Sequence, residues 1–181
     1  VVIPIDKELA AEDIINLLEV SGASAVVYSA FVKSKLGNDF PKNIKYTINM
    51  DTDKNDEMTG ELSFSEVLKN GAEKVQSGDT RFDDVQINPE ESKILLFTSG
   101  TTAMSKGVLL SHKNIVTNLM AMCSMVYCGE EDVFLSVLPI HHTYECTCGF
   151  LAPLYRGSAI AYCDGLRYIA KNLKEAQATI M

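Results

Sequence analysis

Apolar positions along this chain fall into short continuous runs and into stretches spaced by three and four, the periods of buried strands and of half-buried helices. Residues 1–5 (VVIPI) read as a short buried strand. A helix is predicted over residues 8–20. Ile14, Leu17 and Leu18 share one face of it, while Glu8, Glu12 and Asp13 crowd the positive end of its dipole. Ser21 and Gly22 close that helix, and Ala25–Tyr28 makes a second apolar strand. Strand, helix, strand is a βαβ unit, which implies parallel pairing and a right-handed crossover.

The middle of the chain is less regular. IKYTINM (44–50) predicts a strand, DTDKNDEMTGE a polar loop, and residues 65–76 a helix with Val67, Leu68, Ala72 and Val75 apolar. SGDTRFDDVQINPEES reads as an irregular, solvent-facing connection. From Ile94 the pattern sharpens, with a strand over 94–97, a hydroxyl-rich loop, and the strand resuming over 108–110. Ser111 is placed to cap a helix over about 112–127, on which Ile115, Leu119, Met122, Cys123 and Val126 recur at helical spacing. Met120, Met122 and Met125 read as core filler. A strand at 133–137, a loop around LPIHHTYE, a helix into Tyr155, the strand SAIAYC and a helix over 167–176 complete the chain. The alternation predicts a layered α/β fold with a mixed or mostly parallel sheet. VVIPIDKEL opens without a cap, and EAQATIM reads as a helix end running into another strand. The expectation is therefore a fragment cut through secondary structure.

Composition narrows the partners. The 181 residues are 46% apolar, enough for one domain or a lobe of a larger one. A formal net charge of -8, with no basic stripe, argues against nucleic acid. The acidic residues gather in DTDKNDEMTGE and GEED and read as solvated loops. The 5 cysteines lack a disulfide-framework spacing, so reduced thiols and a cytoplasmic setting are expected. The greasiest region, VFLSVLPIHHTYECTCGFLAPLY, is broken by Pro139, His141, His142 and Glu145, and reads as core and not as a transmembrane segment.

The loop TSGTTAMSKG carries the chemistry. Thr98, Ser99, Thr101, Thr102 and Ser105 supply hydroxyls, Gly100 and Gly107 allow close backbone approach, and Lys106 supplies a compact positive charge. Such a set suits a polyphosphate, while an exposed surface loop is the plainer reading. The common P-loop pattern is not met, because Ser105 precedes the lysine and Gly107 follows it. A second cluster, HHTYECTC, places His141, His142, Glu145, Cys146 and Cys148 close together, so a metal-binding module is an alternative. Its spacing is that of neither a zinc finger nor H-E-x-x-H. Cys146 beside His142 is a further candidate nucleophile, without an identifiable third orienting group.

The order of residues in FTSGTTAMSKGVLLSH resembles the signature loop of the adenylate-forming superfamily, which includes acyl-CoA synthetases, luciferases and peptide-synthetase adenylation domains. Two positions depart from that pattern: Ala103 stands where glycine is usual, and Ser105 where proline is usual. DVFLSVLPIHHTYE resembles the family's next segment, and HTYE is similar to the long-chain fatty acyl-CoA synthetase branch. The opening stretch resembles the family as well, so the likeness spans nearly the whole chain and is weakest between about residues 31 and 90.

The resemblance implies ATP-dependent activation of a carboxylic acid, a fatty acid by the HTYE form, to an acyl-adenylate, followed by transfer to coenzyme A. By position, Thr98, Ser99, Gly100, Thr101, Thr102 and Lys106 are implied to hold the ATP phosphates with Mg2+. His142 takes the active-site histidine position, and Tyr144 approaches the acyl or nucleotide pocket. A nucleotide-binding protein of the same fold without ligase chemistry is the runner-up. The family's later motifs are missing after ATIM, so the chain is expected to be an internal piece of the large N-terminal adenylation domain and inactive alone. Residues 1–90 would hold the βαβ unit and a variable connection, and 91–181 the phosphate loop and histidine region. Peripheral membrane contact by the parent stays open.

Overall fold

The structure, a computed structural model, describes residues 1–98 and 106–181. These separate into two units, Ile5–Ile87 and a second made of Val1–Pro4 with Asn88–Met181.

In the Ile5–Ile87 unit, Asp6 decides where the first helix begins. Its Oδ1 accepts the N–H of Glu8 at 2.9 Å, an Asx turn that delays helix α1 to Ala11–Val20 instead of the expected start at Glu8. The predicted face is right: Ile14, Leu17 and Leu18 are buried. Strand β1 (Ala25–Tyr28), helix α2 (Ala30–Leu36) and strand β2 (Tyr46–Asn49) form the parallel crossover, with Val27 opposite Ile48. The βαβ unit thus lies one element later than the hydrophobic pattern suggested. Residues 1–5 are not a buried strand. Val1 and Val2 are exposed, and only Val2 pairs, as an isolated bridge to Ile94.

Strand β3 (Leu62–Ser63) extends the sheet in the order β1-β2-β3, parallel throughout. Ser63 caps helix α3 (Phe64–Gln76), none of whose residues is buried. Ile14, Leu18 and Leu36 form the core of this unit, with Val26, Val32 and Phe40 packed against it.

In the loop DTDKNDEMTGE the acidic residues are exposed as expected except the last. Glu61 is 8% exposed and sits among Tyr28, Lys33 and Asn49. Tyr28 Oη donates to Glu61 Oε2, Lys33 Nζ lies 2.5 Å from the same oxygen, and Asn49 Nδ2 donates to Oε1 at 3.0 Å. Burial alone raises a carboxyl pKa, but hydrogen bonds from Lys33, Tyr28 and Asn49 outweigh it and hold Glu61 below the ordinary range. Tyr28 moves the other way, pushed well above the usual phenol value by burial and then by the adjoining carboxylate.

In the Asn88–Met181 unit, strands β4 (Ser92–Thr98) and β5 (Lys106–Ser111) pair antiparallel. Ser111 then caps helix α4 (His112–Met125): its Oγ accepts the N–H of Asn114 at 3.2 Å, and Asn114 Oδ1 accepts the N–H of Ser111 at 3.0 Å. Leu119 is buried and Ile115, Met122 and Cys123 half-buried, as their spacing predicts. Met120 and Met125 are exposed and fill no core, because they lie off that stripe. Ser111→Ala is expected to cost about 1 kcal/mol of stability, read as a lower urea midpoint with an unchanged slope.

Strands β6 (Val133–Ser136) and β7 (Ala159–Tyr162) pair parallel. Their connection is a π-helical segment, Glu145–Leu151, continued by helix α5 (Ala152–Arg156). Gly157, at φ 75°, ends α5 in the left-handed conformation that glycine adopts without steric cost. A 3-10 turn (Leu166–Tyr168) leads into helix α6 (Ile169–Ala176), and Ile180 bridges to Phe134 beside β6. The fold is α/β with parallel pairing in both units and one antiparallel hairpin. Among the described residues no helix is long and apolar enough to cross a membrane.

Candidate functional site

The two arms of the β4–β5 hairpin carry the ends of the hydroxyl-rich loop. Thr98 stands opposite Lys106, both are exposed, and Thr98 Oγ1 donates to the Lys106 carbonyl at 3.4 Å. Ser99, Gly100, Thr101 and Thr102 lie outside the described residues. Gly107 has a packing reason: a Cβ there would stand 3.0 Å from Leu95 Cδ1 and 3.6 Å from the Phe97 ring. A side chain there would crowd Leu95 and press on the Phe97 ring between the two arms.

The second predicted segment is a turn running into the π-helical segment. The N–H of His142 donates to the Pro139 carbonyl at 2.9 Å, and the His142 carbonyl accepts from Cys146 N–H at 2.9 Å. His142 is exposed on this turn. Tyr144 lines an open cavity of about 530 Å³ bordered by the hairpin, α4 and the π-helical segment. Ile94, Leu96, Leu110 and Ile115 form its apolar walls, and Asn114 and Asn118 add a polar edge. Cys146, Thr147 and Cys148 complete the side that carries Tyr144.

Tyr144, Cys146 and Cys148, singled out by the sequence, line this cavity, and the remaining lining residues carry no such mark in the sequence. One signal was available: Asn114 and Asn118, four apart, form a polar stripe beside the apolar face of α4, and Tyr144 and Cys148 repeat that spacing. No local pattern shows that these helices face one cavity.

Burial pushes the Cys146 thiol up, and burial followed by the nearby Glu145 charge does the same to Cys148. Thiols shifted upward are poor nucleophiles near neutral pH, which removes the support for Cys146 as an attacking group. Among the described residues no three His, Cys, Asp or Glu side chains come together to hold an ion, and Glu145 is turned to Ser136. All five thiols are free.

An α/β scaffold in which an antiparallel hairpin, α4 and the π-helical segment border an apolar cavity with a polar edge offers a concave site for a small molecule. The chain belongs to the AMP-binding enzyme family, whose profile matches residues 1–181. It is 36% identical over 93 residues to 4-coumarate–CoA ligase 1 of Solanum tuberosum, covering 49% of this chain and 17% of that protein. The chain therefore spans only a minor part of the relatives' length. The fold is similar to that of the anthranilate CoA ligase AuaEII in complex with anthranoyl-AMP, with TM-score 0.78, 16% identity, and coverage of 98% of this chain and 34% of that one. It is similar also to the long-chain-fatty-acid-CoA ligase FadD1 from Archaeoglobus fulgidus, with TM-score 0.74, 21% identity, and coverage of 98% and 33%.

Proposed function

We propose that the intact protein activates a carboxylic acid with ATP and passes the acyl group to coenzyme A, and that residues 1–181 are part of its large N-terminal domain. The observation that carries this reading is the residue order TSGTTAMSKG from Thr98 to Gly107, in a chain that matches the AMP-binding family over its full length. In the first step a carboxylate oxygen attacks the α-phosphorus and pyrophosphate leaves with the bonding electrons. In the second, a thiol sulfur attacks the acyl carbonyl, loses its proton, and releases AMP. Both partners of the first step are anions, so catalysis rests on positioning and charge neutralisation. Magnesium bound with ATP would add to that neutralisation.

Within this reading Thr98, Ser99, Thr101, Thr102 and Lys106 hold the β- and γ-phosphates, and Gly100 lets the backbone approach them. His142 orients the carboxylate or stabilises charge developing at the α-phosphate, and Tyr144 forms part of the acyl wall. The aliphatic lining from Ile94, Leu96, Leu110 and Ile115 supports an acid with an uncharged, apolar body, and among these acids a fatty acid. A hydroxycinnamic acid is the second reading, favoured by the 36% identity to 4-coumarate–CoA ligase 1.

The test is acid-dependent ATP–pyrophosphate exchange by the intact protein, with aliphatic acids of graded length and 4-coumarate in parallel, followed by thioester formation with coenzyme A. Exchange that grows with alkyl length supports the fatty-acid reading, and exchange confined to 4-coumarate replaces it with the aryl one. ATP binding without exchange under any acid would overturn the ligase and leave a nucleotide-binding protein. Residues 1–181 by themselves are expected to give no acyl-adenylate, and turnover by them would refute their assignment as an incomplete catalytic unit.

A further inference from the structure

Glu145 is a buried carboxylate for which the proposed chemistry has no use. It is 6% exposed, and Ser136, itself 8% exposed, donates from Oγ to Glu145 Oε1 at 2.5 Å. Ser136 is the last residue of β6 and Glu145 the first of the π-helical segment. Their hydrogen bond therefore closes the loop of residues 137–144, which contains His142 and Tyr144. That loop has little packing of its own, since Leu138, Ile140 and Tyr144 are all exposed.

Gly149 gives an independent sign that the carboxylate's position is built in. It lies inside the helical segment, where glycine is less favourable than alanine. Its φ is not among the positive values that would require glycine. Instead, a Cβ at Gly149 would collide with the Glu145 carboxyl group. The Glu145 carboxyl, buried and bonded to Ser136, occupies the space a side chain at Gly149 would take.

We infer that Ser136, Glu145 and Gly149 form a clasp that sets the turn bearing His142 and Tyr144, which makes Glu145 a positioning residue. Its catalytic consequence rests on the acyl-activation reading above. The clasp itself does not. A carboxylate hydrogen bond to a hydroxyl holds the strand end to the helix start, and the turn between them is thereby fixed at both ends. A displacement of the order of 1 Å at such a turn costs roughly 100-fold in rate when the groups it carries must meet a reacting atom.

The test uses the intact protein with Glu145→Met, which keeps volume and loses the acceptor, and Glu145→Gln, which keeps both. Ser136→Ala removes the same bond from the other side and carries the test should Glu145→Met not fold. Hydrogen–deuterium exchange at residues 138–144 is read together with kcat and KM of acid-dependent pyrophosphate exchange. Glu145→Met and Ser136→Ala are expected to speed amide exchange in that loop about tenfold, leaving β6 and β7 protected. They are expected to lower kcat roughly 10- to 100-fold with KM for ATP little changed. Glu145→Gln should stay within about threefold of the parent on both readouts.

Unchanged loop exchange in a folded Glu145→Met or Ser136→Ala protein would overturn the clasp. Faster exchange throughout the unit with kcat intact would reduce Glu145 to a stabilising residue and overturn the positioning role. A parent protein with no acid-dependent exchange would defeat the proposed activity, while the loop measurement would still decide the clasp.

Discussion

Lys106→Ala is expected to lower acid-dependent ATP–pyrophosphate exchange by the intact protein roughly 100- to 1,000-fold, with Tm unchanged. The size follows from the charges. In the proposed reaction a carboxylate approaches a triphosphate, and the Lys106 ammonium would offset the negative charge that builds on the departing pyrophosphate. The constancy of Tm follows from exposure, because Lys106 is solvent-facing at the start of β5. Its backbone stays in place through the pairing with Thr98.

Lys106→Arg separates two contributions to that loss. It keeps the charge but replaces a compact ammonium with a wider planar fork. Partial recovery would assign the effect to charge, and none would assign it to the geometry of the loop. Retention of full exchange by Lys106→Ala would remove the lysine from the phosphate site.

Glu61→Ala should be the most destabilising single change in the Ile5–Ile87 unit, at about 3 kcal/mol by urea denaturation. It strips Lys33, Tyr28 and Asn49 of a shared acceptor at the C-terminal end of the β1–β2 pair. Lys33 keeps Asn38 Oδ1 at 2.9 Å, so that side of the cluster is only partly orphaned. Glu61→Gln should cost less, since its single amide oxygen still accepts from Tyr28, while the ion pair and the Asn49 hydrogen bond are given up.

The same cluster sets a pH dependence of known sign. The Glu61 carboxyl is held below its ordinary value of 4.5, so the folded state binds protons less readily than the unfolded one. Its stabilisation is full above that value and is lost as the pH falls through the lower, folded pKa. Tyr28 acts at the other end. With its phenol pKa raised above the ordinary value of 10.0, its contribution is full below that value and is lost as the pH rises through the folded one. Denaturation midpoints across the acid range should fall for the parent and stay flatter for Glu61→Gln. Parallel curves for the two would show that Glu61 does not carry the acid sensitivity.

The sequence by itself determined what short-range periodicity and composition encode. Ile14, Leu17 and Leu18 fall on one helical face because their spacing is that of the helix, and Ser111 caps α4 because a hydroxyl three residues before Asn114 completes a local ring of hydrogen bonds. The hydroxyl and lysine order of the loop is likewise written in adjacent residues, and with it the family. Only the tertiary structure decided which strands pair, and therefore that β1, α2 and β2 make the crossover while residues 1–5 do not. It decided too that Glu61, in a loop that looks solvated, is drawn under Tyr28 and Lys33, and that Asn114, Asn118, Tyr144 and Cys148 line one cavity. Each of these joins residues far apart in the chain. Their burial is set by what packs across from them, and no local period records that.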